Sequence, residues 1–192
     1  MSASPRLKPP FLSAWLRNPL QMGAVVASSD ELAHAMAAQV DADSQLIIEL
    51  GAGTGAVTTA LLARGIVPSA LVVIEKDPEL ARQLARRFSS PPVITGDAAR
   101  LRDLLGHIHN RPADAVVSSL PLLSMRTLTR VRVLAQAISA LRPKGRFIQF
   151  TYSPKPPIPG PLAAALGVSG ERVGRVLWNL PPASVWVYTK LS

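Results

Sequence analysis

Continuous apolar runs separated by amphipathic stretches set the pattern of this chain. "QLIIEL" is a short buried strand over residues 46–50 that runs straight into the glycine-rich "GAGTG". "AVTTALLARG" reads as a helix with Gly65 near its end. "ALVVIEKD" is a second strand, and "DPELARQLARRF" is a helix opened by Asp77 at the N-cap and Pro78 at the first helical position. "PVITGDA" gives a third strand, and "DAVVSSLPLL" a fourth that Pro121 ends. "TLTRVRVLAQAISALRPKG" is a helix closing at Pro143 and Gly145, and "RFIQFTY" is a fifth strand. Strands that alternate with helices and are apolar throughout predict a parallel α/β sheet covered on both faces.

Two segments break the alternation. "SPKPPIPGP" packs five prolines into nine residues and predicts a loop in polyproline-like geometry. "RVGRVLWNLPPASVWVYTKL" gives two strand-like runs around Pro181 and Pro182, an antiparallel hairpin that completes the sheet. Before the first strand, "PPFLSAWLRNPL" carries Phe11, Leu12, Trp15 and Leu16 among basic residues. On a helix, residues 12, 15 and 16 share one face, which suits a segment lying in a bilayer interface; packing on its own domain is the simpler use of such a face. The organisation expected is a membrane-interface segment over residues 1–21 followed by one domain over 22–192.

Charge sharpens this. The 192 residues carry a formal +9, with ten Lys/Arg and ten Asp/Glu in residues 1–103 but eleven Lys/Arg and two acids, Asp114 and Glu171, in residues 104–192. A basic half fits a polyanionic partner, either nucleic acid or an anionic bilayer. There is no cysteine, which excludes disulfides and thiolate metal sites. His34, His107 and His109 lack metal-ligand spacing, so no metal is expected. No run reaches the roughly 20 apolar residues of a membrane span.

The glycine turn carries the chemistry. Gly51, Gly53 and Gly55 alternate directly after a strand, preceded by the charged Glu49. Such a turn lets backbone N–H groups approach a ligand beyond the carboxyl ends of the strands. Glu75 ends the second strand, where a carboxylate can accept from two ribose hydroxyls. Asp97 ends the third, where it can accept from an adenine amine. A dinucleotide is the competing ligand, although the acid on the third strand has no role there. Capping of helices is the competing use of the acids.

This constellation resembles the class I S-adenosylmethionine-dependent methyltransferases over residues 46–152. The resemblance implies a Rossmann-like, seven-stranded, mainly parallel sheet with a reversed last strand. It places Glu49, Gly51, Gly53 and Gly55 at the methionine end of S-adenosylmethionine, Glu75 and Lys76 at the ribose, and Asp97 and Ala98 at the adenine, with Ser118 beside them. S-adenosylhomocysteine is the implied product. "FLSAWLRNPLQMGAVVASS", "SSLPLL", "FTYSP" and "LPPASVWVY" extend the likeness to the bacterial phospholipid N-methyltransferases, which methylate phosphatidylethanolamine toward phosphatidylcholine. Ser28 and Ser29 are then candidates for the carboxylate end of the cofactor. Leu120 and Pro121, with Leu122, become an apolar acceptor slot, and Tyr152 the group that orients the amine. Tyr152, Trp178, Tyr188 and Arg126 are substrate contacts, with Arg146, Lys155, Arg172 and Arg175 as further candidates for the lipid phosphate. The implied location is cytoplasmic, peripheral on an anionic leaflet. Ornithine-lipid and ribosomal-RNA adenine methyltransferases share the core. The tail of the fourth strand, "SSLPLL", lacks the Asn and aromatic that clamp a nucleobase, which argues against nucleic acid.

Overall fold

The computed structural model describes residues 23–106, 111–177 and 182–192. Phe11, Leu12, Trp15, Leu16 and Trp178 lie outside the described residues, as do the side chains of Ser28 and Ser29. Seven strands form one sheet: β1 (Ile47–Leu50), β2 (Leu71–Glu75), β3 (Val93–Thr95), β4 (Ala113–Ser118), β5 (Leu141–Thr151), β6 (Val168–Val176) and β7 (Ala183–Lys190). Their spatial order is β3-β2-β1-β4-β5-β7-β6. The first five are parallel, while β7 runs antiparallel to both β5 and β6. This is the Rossmann-like, mainly parallel sheet with an antiparallel C-terminal hairpin: the alternation predicts its parallel part, the runs around Pro181 and Pro182 its hairpin, and the resemblance its seven strands.

Helices cover both faces, which is why β1 and β2 are buried at every position. On one face α1 (Gly23–Ala37), α2 (Ala56–Ala63) and α3 (Pro78–Arg87) enclose a core that includes Met36, Leu61, Leu84, Ile148 and Val187. On the other, α4 (Leu101–Leu105), α5 (Thr127–Ala140) and α6 (Gly160–Ala165) enclose Leu50, Leu101, Leu134, Phe147 and Tyr188. Chain order reverses between β1 and β4, so the crevice at their carboxyl ends is the topological switch point where open α/β sheets bind ligands.

Several elements depart from the sequence expectation. α1 was not predicted, although Leu32, Ala33, Met36 and Ala37 recur at helical spacing and all are buried. The backbone of residues 28 and 29 lies within this helix. α4 and α6 are five and six residues long, too short to declare a period. The helix α5 ends at Ala140, and β5 begins at once, so Pro143 and Gly145 fall inside the strand. The hairpin strand β6 starts at Val168, earlier than its branched residues suggest.

One side chain ties the far end of the sheet together. Asp114 Oδ2 accepts from the N–H groups of Gln45 (2.7 Å) and Leu46 (3.0 Å), and Oδ1 pairs with the Arg142 guanidinium. Burial acts to raise this carboxyl, but Arg142 and the two N–H groups outweigh it and hold it below its ordinary range. The ionised group is the bonded one, so its stabilisation is present above the unfolded carboxylate range and is lost as pH falls through the lowered value. Asp114→Ala is expected to cost about 1–3 kcal/mol at neutral pH, with the difference from wild type shrinking below about pH 4; denaturant melts at the two pH values measure it.

Candidate active site at the switch point

Alternating left-handed residues build the turn after β1. Gly51, Gly53 and Gly55 have φ of 70°, 57° and 85°, a region closed to most side chains. At two of them a Cβ would also crowd a neighbouring side chain. A Cβ on Gly51 would sit 2.6 Å from Leu120 Cδ2, and one on Gly55 would meet Leu84 and Phe88 at 2.8 and 2.9 Å. Arg87 buttresses the turn from outside, donating to the Thr54 carbonyl (3.0 Å) and the Thr59 hydroxyl (3.1 Å). Sequence reasoning did not find Arg87, because the contact spans 33 residues and arises only when α3 packs beside α2.

Three carboxylates stand at the carboxyl ends of β1, β2 and β3, and one of them holds this turn. Glu75, buried at the end of β2, accepts from Gly53 N–H through Oε2 and from Asp77 N–H through Oε1, both at 2.8 Å. Asp97 pairs with Lys76 Nζ at 2.7 Å and accepts from Ala99 N–H at 2.9 Å. The Lys76 hydrogen bond, helped by the Ala99 N–H, holds Asp97 below its ordinary range. Asp97 thus caps the short turn after β3 as well as facing Lys76. Asp77 is the N-cap of α3, accepting from Glu79 and Leu80.

Glu49 is the unusual member. It is fully buried at the third position of β1; Thr58 Oγ1 donates to its Oε2 at 2.6 Å, while Oε1 has no partner among the described residues. Burial pushes its carboxyl up to about 7, against the lowering hydrogen bonds from Thr58, with a further small rise from Glu75. An orphaned acidic oxygen close enough to feel the Glu75 carboxylate suits a ligand that brings cationic and hydroxyl groups, and opposes one that brings a pyrophosphate.

The facing rim of the crevice follows β4. Ser118 is buried, and its hydroxyl faces Leu120 N–H at 3.4 Å. Leu120 lies over Gly51, with Pro121 beside it at the rim. Leu122 turns into the core beneath α5, so it belongs to the packing and not to the slot. Leu123 and Leu128 instead face outward, 43% and 83% exposed, flanking the exposed Arg126 at the N-cap of α5. Tyr152 follows β5 at the same sheet edge, its ring edge-on to Phe150 with centroids 5.3 Å apart.

Two expected contacts are corrected. Tyr188 is a core residue and not a substrate contact: its ring stacks on Trp186, and its hydroxyl accepts from Ile158 N–H at 3.1 Å. Burial pushes this phenol up to about 12, so it stays neutral. Arg146 is committed to Asp41 Oδ1 (2.9 Å) and the Gln39 carbonyl (3.0 Å), in register with Ala115 and away from the glycine turn. Lys155, Arg172 and Arg175 are exposed. Among the described residues no cluster of three His, Asp or Glu is placed to hold a metal ion, and no helix is long and apolar enough to cross a membrane.

Residues 47–145 match the methyltransferase domain family, about half of the chain, and the protein belongs to that family. It is 29% identical over 148 residues to the ornithine lipid N-methyltransferase of Singulisphaera acidiphila, covering 75% of this chain and 77% of that protein. A ribosomal RNA small subunit methyltransferase A from Synechococcus is 33% identical over 96 residues, but this covers 47% of the chain and only 31% of that protein. Among solved structures, magnesium protoporphyrin IX methyltransferase from Synechocystis PCC 6803, crystallised with S-adenosylmethionine, superposes with a TM-score of 0.68 at 13% identity, covering 95% and 92% of the two chains. The N-methyltransferase NodS from Bradyrhizobium japonicum, crystallised with S-adenosylhomocysteine, gives 0.66 at 14%, covering 95% and 98%.

Because folded Glu49 holds its proton to about pH 7 while an unfolded chain releases it near 4.5, the ligand-free fold loses stability as pH rises through that window. Glu49→Gln keeps the Thr58 hydrogen bond and removes the titration. Thermal melts without cofactor at pH 5 and pH 8 are expected to show the wild type losing roughly 2–4 kcal/mol relative to the variant.

Proposed function

We propose that this protein transfers methyl groups from S-adenosylmethionine to the amine of a zwitterionic membrane lipid. The observation that carries the reading is the joining of two unlike surfaces across one edge. An acidic glycine turn meets an apolar rim of Leu120 and Pro121, beyond which Leu123 and Leu128 stand exposed beside Arg126. Such a rim suits an amphiphile and offers no aromatic platform for a flipped base. The relative that spans three quarters of the chain, named for ornithine lipid, favours an ornithine-type head group. Phosphatidylethanolamine is the second reading, supported by "FTYSP" and "LPPASVWVY".

The residues at the switch point fit S-adenosylmethionine. Glu75 and Asp97 supply acceptors for its ribose and adenine, with Lys76 and Ala98 beside them. Glu49 and the glycine turn face its methionine end, with Ser118 alongside; Ser28 and Ser29 are candidates for its carboxylate. When bound, the cofactor supplies a methyl group on a sulfonium, already electrophilic. The protein's work is therefore positioning, exclusion of water and handling of the amine proton.

A primary ammonium cannot attack until it loses its proton. The apolar walls of Leu120 and Pro121 disfavour the charged form and lower the amine pKa. Tyr152 orients the nitrogen through its hydroxyl, and its ring face accommodates the methylated cation. Phe11, Leu12, Trp15 and Leu16 supply apolar contact with an anionic leaflet, where the enzyme sits peripherally on the cytoplasmic side. Trp178 and Arg126 are further candidate contacts for the lipid.

Incubation with methyl-labelled cofactor, mixed vesicles and ribosomal RNA tests this reading. Label is expected in ornithine lipid or phosphatidylethanolamine; label confined to the RNA would overturn it. Tyr152→Phe is expected to lower turnover about 10- to 100-fold with unchanged cofactor affinity by calorimetry. Trp15→Glu is expected to reduce vesicle flotation and leave cofactor affinity intact.

A further inference from the structure

Three buried polar atoms besides the Glu49 oxygen have no partner among the described residues: Arg130 Nε, Gln149 Oε1 and Trp186 Nε1. Two of them are neighbours, and the third lies on the helix that covers their face of the sheet. Gln149 on β5 and Trp186 on β7 are direct cross-strand partners, so their side chains leave the sheet on the same face. That face is the one α5 covers, since its buried residues Val133, Leu134, Ala137 and Ile138 share a core with Phe147, and Trp186 packs against that core. Arg130 stands three and four residues before Val133 and Leu134, at the head of the same helical stripe. Side chains on a helix lean toward its N-terminus, which here carries the Arg130 guanidinium toward the carboxyl edge of the sheet and the acceptor rim.

The chemistry of the three atoms is complementary to one kind of ligand. Two are donors, one on a permanent cation, and the third is a neutral acceptor. Arg130 makes no ion pair among the described residues, and residues 119–140 contain no acid that could neutralise it. Leaving a buried guanidinium N–H and an indole N–H unmet costs stability unless a ligand meets them. Gln149 is also wired to the acceptor rim: its Nε2 donates to the Leu120 carbonyl at 3.1 Å and to the Phe150 carbonyl at 2.9 Å, which aims its remaining oxygen away from both.

We propose that Arg130, Trp186 and Gln149 form the head-group subsite of the acceptor. Arg130 and Trp186 donate to the anionic group of a zwitterion, and Gln149 Oε1 accepts from its amine. The subsite deepens the lipid-methylation reading and rests on it. The anionic group is a phosphodiester or a carboxylate, the chemistry shared by phosphatidylethanolamine and ornithine lipid. Gln149 supplies from β5 the amide oxygen that the tail of β4 lacks.

The test pairs soluble head groups with vesicles. O-phosphoethanolamine and free ornithine are titrated into the cofactor-bound wild type, Arg130→Gln and Arg130→Lys by calorimetry, and KM is measured on vesicles of each lipid and of a long-chain alkylamine. The wild type is expected to bind at least one zwitterion. Arg130→Gln is expected to weaken that binding tenfold or more, raise KM for the matching lipid, and leave the alkylamine KM and cofactor affinity unchanged. Arg130→Lys is expected to lose less, and it decides the matter if the Gln variant does not fold. Whichever head group is lost identifies phosphate or carboxylate. Zwitterion binding that depends on Arg130 without methyl transfer to either lipid would sustain the subsite and overturn the lipid reading. A wild type that binds neither zwitterion, or Arg130 variants that bind as the wild type does, would overturn the subsite.

Discussion

The site depends on the two backbone hydrogen bonds that Glu75 accepts. Its carboxylate lies at the end of β2, yet it holds the N–H of Gly53 in the turn after β1 and the N–H of Asp77 at the start of α3. One buried anion therefore fixes the glycine turn against the neighbouring strand and sets where the next helix begins. A carboxylate bonded to two backbone N–H groups keeps lone pairs for a ligand, so the group that organises the protein can also face the cofactor. Asp77, held in place by this contact, then caps α3 in turn.

From this fixed point the two halves of the crevice acquire opposite character. On the β1–β3 side, carboxylates converge at the sheet edge, one of them protonated near neutrality by its burial. On the β4–β5 side, the rim is aliphatic, and Leu120 spans the boundary by lying over Gly51. The close approach of that leucine is permitted only because Gly51 has no side chain. The glycine turn and the Leu120 rim are in this way one packed unit, and a change in either displaces the other.

The parts legible in the sequence were those written locally. An acid at or near the end of each of the first three apolar runs, three alternating glycines, and an Asp-Pro helix opening need only neighbouring residues, so Glu49, Gly51, Gly53, Gly55, Glu75, Asp97 and Asp77 could all be located from the string. Side chains whose meaning depends on register could not. Tyr188 and Trp186 are two residues apart on β7 and read alike as aromatics. Pairing with β5 and β6 gives Tyr188 a bonded, buried hydroxyl and leaves the Trp186 indole N–H unmet. Gln149, polar in an apolar run, was the visible irregularity. Its contact with Leu120 joins positions 29 apart and becomes evident only once β4 and β5 lie side by side.

The bond between the Tyr188 hydroxyl and Ile158 has a consequence for how this architecture can vary. It clips the far end of the proline-rich connection to β7, the strand next to the edge strand β6, while β5 anchors the near end. Residues 152–157 are thereby a connection of fixed span between the end of β5 and the Ile158 clip. Extra length inserted there is held at both ends and has to bulge away from the packed interior. Length can therefore vary in that segment without moving the strands that carry its two ends.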